Sequence, residues 1–195
     1  MKRPTRIHLI GVVFAFAALS QLSLILENEA FGGTVSSRAP QGLKLADGHL
    51  IGWGETMEDV AKSALTHLYC YGGEHYCYAD QDPNLPGPFS NAHLSFNDSD
   101  KLYEVHLRTG SGNFETVESE LTSALAQKPH QQKSILQNGF GARFDQIIDL
   151  WRVDHVGLLL EKQDPETPGV TDLMIRYFPL TPQDQLEVKH NSVPF

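Results

Sequence analysis

Two cysteines and a histidine offer the densest chemistry in this chain. Cys70, His75 and Cys77 lie within Leu-Tyr-Cys-Tyr-Gly-Gly-Glu-His-Tyr-Cys-Tyr, beside Glu74. Three chemistries fit such a cluster: a disulfide, a metal site completed by Glu74 or a distant histidine, or a redox pair. A structural zinc site normally takes a second ligand pair elsewhere, and the sequence has none. A redox pair prefers the tighter C-x-x-C spacing. The spacing therefore favours a Cys70–Cys77 disulfide, with Gly72 and Gly73 turning the chain back at a helix end.

Eight further histidines follow His8: His49, His67, His75, His93, His106, His130, His155 and His190. None forms H-E-x-x-H or another ligand-spaced pair, so no metal or cofactor site is expected. His93 and His106 fall on the two strands of an expected hairpin, which can bring them together. Asp154-His155 has the look of a triad fragment. Its nearest serine turn, Gly110-Ser111-Gly112, lacks the G-x-S-x-G form of a nucleophile elbow. Those glycines also lack the dinucleotide fingerprint. No catalytic residue is expected. The alternative is a metal-dependent or hydrolytic exported enzyme using His93, His106 and His155.

The elements that position these residues begin with a basic cluster, Lys2, Arg3 and Arg6, followed by an apolar run from Ile7 to Leu26. That is the secretory pattern, and twenty residues at about 1.5 Å each also span a bilayer core. Residues 1–26 are therefore a signal peptide or a membrane anchor. Ala18 and Ser20 make an acceptable cleavage site, so both outcomes stay open. The basic end stays in the cytoplasm and the rest is exported, to the periplasm or another extracytoplasmic side. Residues 27–42 read as a linker, 43–180 as the globular domain and 181–195 as a polar tail.

Without Lys2, Arg3 and Arg6, the 15 basic residues fall to 12 against 24 acidic ones, a net charge of −12. Such a domain repels phosphate backbones, so nucleic acid is not an expected partner. At 41% hydrophobic and 20% charged, the chain can bury a core.

Within the domain, Gly48–Trp53 reads as a strand. Thr56 caps a helix whose apolar face is Met57, Val60, Ala61, Ala64, Leu65 and Leu68, ending at Gly72. Pro83, Pro86 and Pro88 mark a loop. Ala92, Leu94, Phe96 and then Tyr103, Val105, Leu107 alternate as a hairpin. Asn113 caps a second helix with stripe Phe114, Val117, Leu121, Ala124 and Leu125. Residues 130–141 read as loop. Three strands follow, near 144–151, 156–160 and 173–177. The helix-and-hairpin unit recurs, near 56–108 and 113–177. The expectation is an α+β fold, an antiparallel sheet with two helices packed on one face as a two-layer sandwich. Trp53 and Trp151 belong to the core or anchor a partner. Asn97-Asp98-Ser99 is a glycosylation sequon in a turn, of consequence only in a eukaryotic source.

The segment Leu50-Ile51-Gly52-Trp53-Gly54-Glu55-Thr56-Met57-Glu58-Asp59-Val60, with Leu94–Asp98 and Lys101–Tyr103, resembles small bacterial envelope domains. These are of the BamE-like and β-lactamase-inhibitory-protein-like types. About 55 of the 195 residues carry the likeness, and the BamE-type lipobox cysteine is absent. The resemblance implies a scaffold for protein contacts, with no functional residue carried over. The expected function is thus a non-enzymatic exported or membrane-anchored protein, in contact with another envelope or membrane protein, a subunit of a membrane complex being one form of that reading. It would meet the membrane through residues 7–26 if that segment is retained.

Overall fold

The computed structural model describes residues 39–71, 73–137 and 140–183. The expected signal or anchor, most of the linker and most of the polar tail lie outside them. No helix among the described residues is long and apolar enough to cross a membrane.

The architecture is mostly β, which corrects the expected two-helix sandwich. Strands β1 (Gly42–Lys44) and β2 (Leu50–Gly52) form a small antiparallel pair. The main body is one antiparallel sheet of eight strands: β3 (Leu68–Tyr71), β4 (Tyr76–Asp80), β5 (Asn91–Phe96), β6 (Leu102–Gly110), β7 (His130–Gln137), β8 (Arg143–Val153), β9 (Val156–Glu161) and β10 (Val170–Tyr177). Their spatial order is β3-β4-β5-β6-β10-β9-β8-β7. The sheet is therefore two local meanders, β3–β6 and β7–β10, joined where β6 pairs with β10.

Helix α1 (Met57–Ala61) is only five residues long, and α2 (Phe114–Leu125) is the one longer α-helix among the described residues. The cap expected of Thr56 is present and takes the form of a capping box, with Asp59 N–H donating to Thr56 Oγ1 at 3.1 Å. Tertiary bonds stop the helix early. Asp82 Oδ2 accepts the backbone N–H groups of Thr66 at 2.6 Å and His67 at 2.7 Å. Asn84 Nδ2 donates to the carbonyl of Ala64. Leu68 to Tyr71 then pair with β4 instead of continuing a helix, so tertiary pairing overrides the helical spacing. The expected loop at 130–141 is also corrected in part. It holds β7, an edge strand whose polar composition reflects exposure rather than irregularity.

One sheet face carries the core. Val105, Leu107, Trp151, Leu158, Leu160, Leu173 and Ile175 pack against Phe114, Val117, Leu121 and Leu125 of α2. Leu43 and Ile51 of the small pair, Leu45 just after β1 and Val60 of α1 belong to the same core. Trp151 is buried and its indole N–H donates to the carbonyl of Gln127 at 3.1 Å. Trp53 donates to the carbonyl of Pro40 at 2.8 Å and stacks on Tyr177 at 6.0 Å. Both indoles therefore serve the fold. So does the sequon: Asn97 Nδ2 donates to the carbonyl of Leu180 at 2.9 Å, while its Oδ1 accepts the backbone N–H of Ser99 at 3.0 Å.

Candidate functional site

Strand alternation sends Asn91, His93 and Ser95 of β5, Glu104, His106 and Arg108 of β6, and Asp172, Met174 and Arg176 of β10 to the face opposite α2. Here the charged groups of the central strands meet. His106 Nδ1 donates to Asp172 Oδ2 at 2.9 Å, and Nε2 donates to Glu104 Oε1 at 3.1 Å. The guanidinium of Arg176 donates to Glu104 Oε2. Arg108 Nη2 lies 3.0 Å from Asp164 Oδ2. Its Nε lies 3.5 Å from Asp172 Oδ1, an ion pair without a hydrogen bond.

The electrostatics follow from burial and pairing. Burial by itself would depress the His106 pKa. The hydrogen bonds to Asp172 and Glu104 outweigh it and lift the pKa to about 9. Burial would likewise raise Glu104, but the His106 hydrogen bond and the Arg176 charge hold it below the usual glutamate value. His106 is thus an imidazolium at neutral pH. With Arg108 and Arg176 it balances Glu104, Asp164 and Asp172, so the network is neutral as a whole.

An aromatic row adjoins it. His93 and His106 are register partners with ring centres 6.2 Å apart. Tyr76 lies 4.8 Å from His93, and Tyr71 lies 5.0 Å from Tyr76. Burial, followed by the charge of His106, pushes the His93 pKa down, so this imidazole is neutral. Its Nδ1 stands 3.4 Å from Ser95 Oγ. Among the described residues no carboxylate accepts from its other nitrogen, so the third member of a triad is missing.

The hairpin therefore brings His93 and His106 together as its alternation implies. His155 does not join them: it is exposed in the turn between β8 and β9. Cys70 and Cys77 are bonded to each other as cross-strand partners of β3 and β4, with Cα atoms 4.0 Å apart. The bridge thus ties a hairpin, not a helix end, and consumes both thiols that a metal site would need. Among the described residues, no group of three or more His, Cys, Asp or Glu side chains is placed to hold a metal.

Sequence reasoning missed Glu104, Arg108, Asp164, Asp172 and Arg176. The signal was in the strands. Glu104-x-His106-x-Arg108 and Asp172-x-x-x-Arg176 put charges at period-two positions within otherwise apolar strands, and such charges need partners across the sheet.

Another buried acid sits on the helix side. Asp149 is 0% exposed; its Oδ1 accepts from Gln131 Nε2 at 3.0 Å and its Oδ2 has no hydrogen-bond partner. Burial raises its pKa.

Compared with known proteins, no family model, curated protein or solved structure matches this chain.

Proposed function

We propose that this is an exported, membrane-associated protein whose sheet domain works by contacting another envelope protein. The observation that carries the reading is the edge at β3, which pairs only with β4 among the described residues. Tyr69 and Tyr71 are 58% and 50% exposed there, on a strand braced by the Cys70–Cys77 bridge. Large exposed aromatics on a rigid element supply contact area at low entropic cost, as interface anchors do. The disulfide is consistent with an oxidising compartment. The basic cluster and apolar run at the N-terminus support export on sequence grounds.

Catalysis is the weaker reading because His106, the most buried of the nominated histidines, is occupied. Both nitrogens of His106 are hydrogen-bonded in a neutral ion network, leaving no lone pair for a general base. The alternative enzyme would also need His155 near the other two histidines.

The test is site-specific photo-crosslinking in the full-length chain in its native membrane. A photoreactive residue is placed in turn at Tyr71, Ile135 and Asp154. The expected result is an adduct with one defined protein from at least one position. Adducts from no position, with the detergent-extracted chain a free monomer, would overturn the reading.

A further inference from the structure

We propose that the open edge of β3 receives, as an additional strand, an extended peptide segment bearing lysine or arginine side chains. The proposal rests on the protein-contact reading above and specifies its surface and partner chemistry.

The edge geometry comes from the register. The carbonyls of His67 and Tyr71 accept from Asp80 and Glu74, so those residues face β4 and the hairpin turn. Cys70 lies opposite Cys77 at the close spacing of a non-hydrogen-bonded pair. Leu68 and Cys70 therefore turn their N–H and C=O groups outward. Among the described residues β3 pairs only with β4. An added strand would find two donors and two acceptors on a backbone already fixed by the bridge.

Edges are commonly defended by lysine, proline or a bulge. The opposite edge follows that rule, with Lys133 near the middle of β7. The β3 edge does not. From Ser63 to Asp100 the chain has no lysine or arginine, while Glu74, Asp80, Asp98 and Asp100 are exposed or half-exposed acids. Four of the six tyrosines, Tyr69, Tyr71, Tyr76 and Tyr78, sit in the same hairpin. All four project to one face, in the cross-strand pairs Tyr69–Tyr78 and Tyr71–Tyr76. An incoming strand's alternate side chains would lie beside Tyr69 and Tyr71. Aliphatic stems would pack along the rings, and cationic ends would meet both ring faces and the acidic surround. An acidic segment would meet only like charge.

The test uses the full-length chain in mild detergent and a labelled synthetic peptide of alternating lysine and threonine, read by fluorescence anisotropy. The expected result is saturable binding, about ten-fold weaker for the Tyr69→Ala/Tyr71→Ala double variant. A glutamate–threonine peptide should not bind. The lysine peptide N-methylated at alternate backbone positions keeps its charge but cannot pair as a strand, and it too should fail. Ile135→Ala on the β7 edge should change nothing. In the unaltered chain, hydrogen exchange at the Leu68 and Cys70 amides should slow when peptide is added, a readout independent of whether the double variant folds. Undiminished binding of the N-methylated or glutamate peptide, or unchanged exchange at those amides, would overturn the proposal. So would self-association that the tyrosine double variant abolishes, since that assigns the edge to a second copy. Photo-adducts at Ile135 or Asp154 but none at Tyr71 would overturn this proposal while leaving the broader function standing.

Discussion

The two meanders are built by different means. In β3–β6 the outer strands are short, four and five residues in β3 and β4, and a covalent bridge ties them. In β7–β10 the outer strands are eight and eleven residues long, and they carry no bridge. They rely on extended pairing and on Trp151, Val153, Leu158 and Leu160 packing beneath α2. Where a hairpin is too short to bury much apolar area, a cross-link takes over part of the work. Between them runs the β6–β10 seam, and on the face away from α2 it is held by charge. Glu104–Arg176, His106–Asp172 and Arg108–Asp172 all cross it.

The largest effect is expected at the seam. Arg176→Met leaves Glu104 buried beside His106 alone and should cost about 4 kcal/mol, seen as a lower denaturant midpoint. A loss below about 1 kcal/mol would mean that the seam is held by its apolar face.

The seam should also be the pH-sensitive part. His106 titrates near 6.5 when unfolded and at about 9 when folded. Its contribution, about 3 kcal/mol from that shift, is complete below pH ~6.5 and lost as pH rises through about 9. Glu104 works in the opposite sense. Its folded pKa is depressed, so its contribution is present above the unfolded glutamate pKa and fades on acidification. Stability curves of the parent and His106→Gln should therefore converge above pH ~10 and diverge most between pH ~5 and ~6.5, where the carboxylates are ionised and the His106 contribution is complete. Parallel curves would place the alkaline transition elsewhere.

Removing the bridge should separate the two meanders. Cys70→Ser/Cys77→Ser should cost about 2.5 kcal/mol by loop entropy. Hydrogen exchange should accelerate in β3 and β4 and stay unchanged in β7 and β8. Equal acceleration in both would show that the meanders open together.

The smallest effect has the opposite sign. Asp149→Asn keeps an acceptor for Gln131 and removes a charge that burial disfavours. Because the folded Asp149 pKa is raised, its destabilising effect sets in as pH rises through the carboxylate range. The variant should gain about 1 kcal/mol at neutral pH and nothing below pH ~3, checked by thermal melts.

The sequence revealed those elements whose periodicity agrees with their environment. The stripe Phe114, Val117, Leu121 and Leu125 is the buried side of α2, and Ala92, Leu94 and Phe96 alternate as β5 does. It misled where tertiary contacts decide. Ala64, Leu65 and Leu68 keep helical spacing, yet the Asp82 carboxylate and the Cys70–Cys77 bridge take that stretch into a turn and β3. Strand β7 hid because an exposed edge has little apolar alternation to show. At the site, pairing of His93 with His106 could be read from the hairpin. Their carboxylate and guanidinium partners could not, because Asp172 and Arg176 lie 66 and 72 residues away in sequence from the groups they meet.

That separation bears on how the molecule is assembled. Each meander closes through neighbouring strands, whereas the seam must wait for β10, which follows β6 by some sixty residues and comes after the other seven strands of the sheet. Until then β6 is the bare margin of a half-finished sheet. Its row of Glu104, His106 and Arg108 keeps that margin hydrated and discourages two nascent chains from pairing along it. The ionic row that later fastens the halves thus acts first as a gatekeeper against aggregation, at the stage when the chain is most exposed to it.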